Sequence, residues 1–269
     1  MFLIEISRGC MRGCRFCLAG HWSRPMRERS LESILEQARE GLRYLSKIGL
    51  VGAAVSDYSQ IEALVARLRE MGAAISVSSL RVHPLPLALL EALAESGSRS
   101  LTLAPEAGSE RLRHAIRKGV SHEHILRAAE AARGRFGSLK LYFMIGLPDE
   151  RAEDIEAILQ LVREVSELFS REVVVNVTPF VPKAHTPYQR AAMAPAEVLE
   201  ARIARLREGC RALRIVFRAE GVGEARLQGM LARGDRRLGE VLASLPTATS
   251  RVLVQAMARN RLEAEDYLQ

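Results

Sequence analysis

Three of the four cysteines lie within eight residues, as Cys10, Cys14 and Cys17, in the spacing C-x3-C-x2-C. A soft metal centre needs several thiolates, and one short loop supplies them at little cost in ordering. Three thiolates can hold three irons of a 4Fe-4S cluster, which leaves the fourth iron open to a ligand from outside the protein. The spacing therefore predicts an iron–sulfur centre with one open coordination position.

A zinc site and chance clustering are the alternatives for these cysteines. Structural zinc sites take four protein ligands, commonly from paired C-x2-C units, and the sequence has no second pair. The fourth cysteine, Cys210, falls on the apolar side of a predicted helix, which favours a core residue over a fourth ligand. Gly9 and Gly13 suit a tight wrap of the loop, because glycine tolerates positive φ.

Composition and charge narrow the class of protein. The chain of 269 residues is 48% hydrophobic and 26% charged, which is typical of a soluble globular protein. It has no apolar run near the roughly 18 residues of a membrane span, and its clustered thiols favour a reducing cytoplasm. The net charge of +7 comes almost entirely from arginine, with four lysines. We interpret this positive charge as a compositional bias toward arginine. The alternative is that the charge binds a phosphate-bearing substrate or nucleic acid.

Apolar segments alternate with amphipathic stretches six times along the first 180 residues. The predicted strands are 2–7, 50–56, 74–80, 100–104, 139–145 and 172–180. Strands that are each followed by a helix form a parallel sheet with right-handed crossovers, and six units are fewer than a closed barrel requires. The pattern therefore predicts an α/β fold, a partial (βα)6 TIM-type barrel.

The helical pattern also sets the expected boundaries. A first helix is predicted over 30–48, capped by Ser30 and ended by Gly49. Residues 181–194 are predicted to be a loop, followed by helices and one short edge strand at 215–217. We therefore expect a core at 1–190 and a mainly helical C-terminal extension at 191–269. The expected helices of the extension are 196–212, 223–232, 236–244 and 249–260.

The cysteine loop and the strand–helix pattern resemble the radical S-adenosylmethionine (SAM) superfamily over about residues 2–182. The resemblance implies an enzyme in which a 4Fe-4S cluster on Cys10, Cys14 and Cys17 binds SAM at its open iron. The reduced cluster would cleave SAM to a 5′-deoxyadenosyl radical, which abstracts a hydrogen from an unidentified substrate. An external one-electron reductant of flavodoxin or ferredoxin type is implied as a partner.

The resemblance also implies contacts to SAM near the first two strands. Phe16, just before the last cysteine, occupies the position of an aromatic residue that packs near the adenine. Gly52, Ser56 and Asp57 follow the second strand, where the superfamily holds the amino group of SAM with a Gly-Gly-Glu-type stretch. The sequence departs from that pattern because its acid is displaced to Asp57. The alternative is that Asp57 caps a helix beginning near Tyr58.

Later strand ends supply the remaining expected contacts. Arg81 would pair with the SAM carboxylate, since a guanidinium fork suits a carboxylate. Glu106 would accept hydrogen bonds from ribose or substrate, while the neighbouring Ser109 is a good helix N-cap. Gly146, in a Gly-Leu-Pro turn, would let the backbone approach the adenine, and Thr178 would form part of the pocket wall. A surface arginine and a simple turn glycine are the alternatives for Arg81 and Gly146.

Two further stretches, 104–112 and 178–189, look like the cobalamin-binding-domain radical SAM proteins. Members of that group carry a cobalamin domain before the core, whereas the present sequence begins at the first strand and has no Asp-x-His-x-x-Gly stretch. Three explanations stay open: the sequence is a fragment, the cobalamin domain is a separate cobalamin-binding chain, or the protein works without cobalamin. The alternatives to a hydrogen-abstracting enzyme are a cobalamin-assisted methyltransferase, a non-catalytic iron–sulfur electron-transfer or sensor protein, and a zinc-bearing nucleic-acid-binding module.

Overall fold

The structure, a computed structural model, describes residues 1–247 and 249–269. The strands of this part are β1 (Phe2–Glu5), β2 (Ser7–Arg8), β3 (Arg27–Glu28), β4 (Lys47–Val51), β5 (Ala74–Ser76), β6 (Ser100–Glu106), β7 (Ser138–Ile145), β8 (Glu172–Pro179) and β9 (Val216–Ala219). The helices are α1 (Leu31–Leu42), α2 (Ile61–Glu70), α3 (Leu87–Glu95), α4 (Glu110–Ala115), α5 (His122–Ala132), α6 (Ala152–Phe169), α7 (Ala196–Ala212), α8 (Val222–Arg233), α9 (Arg236–Ala243) and α10 (Ser250–Arg259).

The main strands form two parallel sheets whose strand order follows the chain. One sheet has the order β1-β4-β5 and the other has the order β6-β7-β8-β9. A single parallel bridge between Leu80 and Leu103 joins them. The predicted α/β class and parallel order are confirmed. The predicted third strand, 74–80, is shorter than expected, and a continuous barrel wall is not observed, because β5 ends at Ser76.

The two faces of the sheets differ in burial because side chains alternate along a strand. On the outer face, Ile4, Ile48 and Ile75 are fully buried beneath the helices. On the inner face, the alternate residues of β6 are only partly buried, and Tyr142 of β7 is exposed. The hydrophobic core thus lies between sheet and helices, while the inner face stays accessible at the carboxyl ends of the strands.

The boundary between the first helix and the second strand differs from the prediction. Helix α1 ends at Leu42 and β4 begins at Lys47. Gly49 lies inside the strand, where a Cβ atom would come within 2.6 Å of the Leu3 side chain, so close packing rather than helix termination requires it. Residues 52–56, predicted as strand, form a loop and a 3-10 turn at Val55–Asp57.

The helix N-caps that the sequence predicts at Ser30 and Ser109 are observed in the structure. The hydroxyl of Ser30 accepts a hydrogen bond from the Ser33 N–H at 3.3 Å, and that of Ser109 accepts one from the Leu112 N–H at 3.1 Å. A hairpin that was not predicted, β2 with β3, closes the base of the segment that carries the cysteines. It holds the ends of that segment together next to the carboxyl end of β1.

The C-terminal extension continues the same sheet and core. Strand β9 pairs in parallel with β8, which confirms the predicted edge strand. Helix α7 packs so closely on α6 that a Cβ atom on Gly209 would lie 2.4 Å from the Leu159 side chain. Arg233, the last residue of α8, donates to the Ala191 carbonyl at 3.0 Å. The boundary at residue 190 stays a prediction. Over the described residues, no helix combines the length and apolar character needed to cross a bilayer.

Candidate active site

Glycines allow the cysteine loop to fold back on itself. Gly9 has φ +87°, and a Cβ atom there would lie 2.0 Å from the Ser23 carbonyl oxygen. At Gly20 a Cβ atom would lie 2.3 Å from the Arg12 carbonyl oxygen. Gly13 differs from these two, because its φ is not positive and no described atom lies within 4 Å of an added Cβ.

The three cysteines of the loop line one cavity of about 210 Å³. Cys10 and Cys14 are buried, while Cys17 is half-buried. The Arg12 N–H donates to the Cys10 sulfur at 3.4 Å, and the Cys17 N–H donates to the Cys14 carbonyl at 3.1 Å. The backbone of the loop thereby holds the cysteines around the cavity.

The arrangement of these thiols bears on what they can bind. In the described part of the chain, no three His, Cys, Asp or Glu side chains come close enough to hold a single metal ion. An iron–sulfur cluster does not require this, because each thiolate binds a different iron. Three thiols that line one cavity therefore fit such a cluster in donor type.

Four of the predicted cofactor contacts line the same cavity as the cysteines, namely Phe16, Gly52, Arg81 and Glu106. The Nε atom of Arg81 donates to the His83 carbonyl at 3.3 Å. Its Nη2 atom is buried and has no hydrogen-bond partner among the described residues. Because a buried unpaired donor is costly, this N–H fits an anionic group of a ligand in the cavity.

Glu106 and Lys118 form an ion pair in the cavity wall, with Nζ 2.8 Å from Oε1. The Lys118 ammonium also lies 6.0 Å from the centre of the Phe16 ring. Glu106 has φ +72° where the register of β6 shifts, a conformation that side chains with a Cβ rarely adopt. Such strain clusters at functional sites.

Opposing effects act on the thiol of Cys14. Burial raises its pKa above the ordinary value, whereas the positive charges of Lys118 and Arg81 act to lower it. A bound metal deprotonates a coordinating thiol outright. The two cations therefore favour the thiolate that a cluster requires, against the cost of burial.

Ser56 and Asp57 are absent from the described lining of the cavity and border a neighbouring groove together with Arg12. Both oxygens of Asp57 accept hydrogen bonds from Arg12, at 2.9 and 3.1 Å, and one lies 3.6 Å from Arg81 Nε. The hydroxyl of buried Ser56 accepts from the Arg81 N–H at 3.4 Å. The helix-cap interpretation of Asp57 is wrong, since α2 begins at Ile61. The two residues orient Arg12 and Arg81.

Gly146 and Thr178 are likewise absent from the described lining of the cavity. Gly146 does have φ +78°, but its N–H donates to Glu150 Oε2 at 2.7 Å. A Cβ atom on Gly146 would lie 2.7 Å from the side chain of Leu199, so the turn packs against α7 instead. Thr178 pairs with Met144 between β8 and β7.

Sequence reasoning missed a buried carboxylate in this turn. The side chain of Glu150 is almost fully buried, and its Oε2 lies 2.5 Å from Arg202 Nη1 of α7. Burial raises the pKa of Glu150 to about 7, despite the opposing Gly146 N–H and Arg202 charge. It also missed the role of Arg12, whose partner Asp57 is distant in sequence. Lys118, which pairs with Glu106 in the cavity wall, is one of only four lysines among 39 basic residues.

Comparison with known proteins identifies the family. The model of the radical SAM superfamily matches residues 4–162, more than half of the chain. The chain belongs to the radical SAM superfamily. Membership implies a 4Fe-4S cluster and SAM as cofactors, which the three thiols and the cavity fit.

Two relatives of this radical SAM protein match nearly its whole length. Protein MJ0966 of Methanocaldococcus jannaschii is 37% identical over 97% of the chain. The tRNA-2-methylthio-N(6)-dimethylallyladenosine synthase of Carboxydothermus hydrogenoformans is 25% identical over 93% of the chain. The chain spans only 58% and 59% of these two proteins. Family and relatives together support an enzyme.

Solved structures support the fold. The radical SAM methyltransferase TsrM of Kitasatospora setae, with cobalamin and a 4Fe-4S cluster, matches with a TM-score of 0.57 at 14% identity, over 73% of this chain and 41% of TsrM. Coproporphyrinogen III oxidase (HemN) of Escherichia coli matches with a TM-score of 0.55 at 18% identity, over 77% of this chain and 52% of HemN.

Proposed function

We propose that this chain is the core of an enzyme that reductively cleaves SAM and abstracts a hydrogen atom from its substrate. The observation that supports this most strongly is the single cavity lined by the three loop cysteines together with Phe16, Arg81 and Glu106. It combines soft metal donors with an unpaired cationic donor and a carboxylate. These are the groups needed to hold a cluster and a zwitterionic nucleoside beside it.

Different residues of the cavity bind the cluster and SAM. Cys10, Cys14 and Cys17 hold the cluster. Arg81 Nη2 binds the SAM carboxylate, and Gly52 gives the amino group room to approach the backbone. When bound, the reduced cluster and SAM supply the 5′-deoxyadenosyl radical that takes a hydrogen from the substrate.

Neighbouring residues bind the nucleoside and orient these groups. Glu106 keeps Oε1 on Lys118 and offers Oε2 to a ribose hydroxyl. Phe16 flanks the adenine. Ser56 and Asp57 are positioning residues, since both contact Arg81.

A second candidate is a cobalamin-assisted radical methyltransferase. The cobalamin-dependent radical enzyme OxsB matches 96% of this chain with a TM-score of 0.54, at 14% identity and over 45% of OxsB, so the likeness extends through residues 191–269. Cobalamin would then be brought by a separate cobalamin-binding chain. Adding such a chain with methylcobalamin should change the product from 5′-deoxyadenosine alone to a methylated substrate.

The remaining parts of the proposal follow from the chemistry. Cleavage consumes one electron, so an external reductant of flavodoxin or ferredoxin type is a partner, beside an unidentified substrate. We also propose a cytoplasmic location, because a reducing compartment keeps the clustered thiols available for a cluster. We assign residues 1–190 to the radical SAM core and 191–269 to its extension.

The test is anaerobic reconstitution with iron and sulfide, reduction with dithionite and addition of SAM. We expect 5′-deoxyadenosine and methionine in equal amounts, measured by chromatography. Cys14→Ala should abolish cleavage. Cys210→Ala, which changes a buried core thiol outside the cavity, is the matched control and should retain it. A cluster that assembles without any cleavage of SAM would refute the proposal.

A further inference from the structure

Three polar side chains form a row across the inner face of the second sheet. In β7 the residues on either side of Tyr142 are buried, while Tyr142 itself exposes 38% of its surface. Tyr142 pairs with Asn176 of β8, and Asn176 pairs with Arg218 of β9. Because side chains alternate between the two faces of a sheet, paired residues of parallel strands point to the same face. We call Tyr142, Asn176 and Arg218 the polar row.

The other face of β9 agrees with this orientation. Phe217, the residue before Arg218, packs against the core, and the Arg207 guanidinium of α7 lies 5.7 Å from the centre of its ring. Arg218 therefore points away from α7, and it is exposed. Lys140 lies two residues before Tyr142 on the same face of β7 and is half-buried. Neither Arg218 nor Lys140 forms an ion pair within the described part of the chain.

The polar row begins at the wall of the cysteine cavity. Ala104 of β6 lines that cavity. Since Leu103 pairs with Leu141, Ala104 and Tyr142 are the next residues along neighbouring strands, and neither is buried. Strands of a sheet lie about 4.8 Å apart, so Arg218, three strands from Ala104, is about 14 Å from the cavity wall. A molecule that lies along the row therefore reaches from Arg218 to the cavity.

Stability alone does not explain Asn176. Asparagine is depleted in strands, and β8 is paired on both sides, with β7 and with β9. The Nδ2 atom of Asn176 is buried and has no hydrogen-bond partner among the residues that the structure describes. An unpaired buried donor destabilises the folded state. An amide retained in this position fits a ligand that accepts a hydrogen bond.

Two carboxylates lie near the ends of this face. Glu172 pairs with Ser138 at the amino ends of the strands, whereas the cavity lies at the carboxyl ends. Glu220 follows β9 and accepts a hydrogen bond from Gln228 Nε2 at 2.6 Å. Between these ends, β7, β8 and β9 contain no acidic residue. The charged groups next to the Asn176 amide are therefore cationic.

We propose that the polar row binds an oxyanion group of the substrate, a phosphate or a carboxylate. The guanidinium fork of Arg218 suits either group, and the Asn176 amide and the Tyr142 hydroxyl supply further donors. Lys140 adds a second positive charge beside the row. The bound substrate extends along the row, so that its far end lies at the cavity. This last step rests on the proposed function, whereas binding of the oxyanion does not.

Fluorine NMR of the cluster-loaded chain tests this binding. With 3-fluorotyrosine at the five tyrosines, the Tyr142 resonance is the one that is missing from Tyr142→Phe. Titration with inorganic phosphate, and separately with acetate, at constant ionic strength should shift this resonance saturably. Saturation by either anion supports the proposal, and the anion with the lower Kd distinguishes a phosphate-bearing substrate from a carboxylate.

Variants separate the polar row from general charge and from a structural role. Arg218→Gln should raise the anion Kd at least tenfold, and Asn176→Val at least threefold. Because valine is the better strand former, Asn176→Val should not lower the midpoint of urea unfolding. Arg207→Gln removes an exposed arginine of α7 on the opposite side of β9 and should leave the Kd within twofold.

Each adverse outcome has a separate meaning. Absence of a saturable Tyr142 shift with both anions would overturn the proposal, and so would equal weakening by Arg218→Gln and Arg207→Gln. A less stable Asn176→Val chain with an unchanged Kd would assign Asn176 a structural role instead. Anion binding by a chain that forms no 5′-deoxyadenosine would refute only the proposed function. Cleavage of SAM without anion binding would refute only the role of the polar row.

Discussion

Arg81 provides the positive charge with which the cavity can bind an anionic group. Its Nη2 is buried without a described partner, while Asp57 and the His83 carbonyl hold the rest of the guanidinium. A charge-assisted hydrogen bond contributes about 1.5–3 kcal/mol, so Arg81→Met should weaken SAM binding by roughly 10- to 100-fold. Arg81→Lys should recover only part of the loss, because lysine lacks the fork.

Equilibrium dialysis of SAM against the reconstituted protein measures this effect. Arg163→Met, an exposed arginine of α6, is the control and should bind SAM as the wild type does. Equal SAM affinity of Arg81→Met and the wild type would contradict the assignment of Arg81 to the carboxylate.

Substitutions at Glu106 test whether the backbone of the site is strained at this residue. At φ +72°, a residue with a Cβ costs about 1–2 kcal/mol more than glycine. Glu106→Gly and Glu106→Ala both remove the ion pair with Lys118, so their difference isolates the backbone. We expect the glycine variant to be more stable by about 1 kcal/mol in urea unfolding, and equal stabilities would show that Glu106 is not strained.

At the scale of elements, the turn after β7 is joined to α7 through the buried Glu150–Arg202 pair. Glu150 has a pKa of about 7 in the folded state against an ordinary 4.5. The folded state therefore binds the proton more tightly, and this stabilisation is complete below pH 4.5 and is lost as the pH rises through 7. The contribution is about 3 kcal/mol across that window.

Glu150→Gln should remove this dependence. The free energy of unfolding of the wild type, relative to the glutamine variant, should fall as the pH rises from 4.5 to 7.5 in urea titrations. Glu156→Gln is the matched control, because Glu156 likewise pairs with an arginine of α7, Arg205, but is exposed. A flat difference between wild type and Glu150→Gln would mean that Glu150 is already ionised at pH 5.

How far the sequence predicts this structure depends on the range of each interaction. The spacing of the cysteines can be read directly from the sequence. The helix caps at Ser30 and Ser109 depend only on neighbouring residues, so they were predictable. The short apolar segment that forms the edge strand β9 was predictable in the same way. The limits of α1 and β4 were not, because Gly49 is explained by packing against Leu3 of another strand. The helix-cap alternative for Asp57 was wrong for the same reason, because its partner Arg12 lies 45 residues away along the chain.

The same limit applies to Gly146, whose turn conformation was predictable from its residue type. The contact of this turn with Leu199 was not predictable, because Leu199 belongs to the extension and is distant in sequence. For Arg81 and Glu106, residues at the carboxyl ends of parallel strands were expected to meet, and the cavity brings them together with the cysteines.

For the molecule as a whole, the extension completes the core. Strand β9 covers the edge of β8, and the apolar side of α7, including Leu199 and Leu206, is buried against the rest of the chain. A fragment of residues 1–190 would expose that apolar surface and a bare parallel edge. We expect it to aggregate or to lose amide protection in β8, measured by hydrogen exchange.

A fragment of residues 1–221 is the matched comparison for this prediction. It retains α7 and β9 and should keep most of the protection of residues 172–179, although it lacks the later helices. The contrast between the two fragments separates loss of the edge strand and α7 from shortening of the chain. A soluble 1–190 fragment with wild-type exchange in β8 would contradict this prediction, because it would show that the core stays intact without the extension.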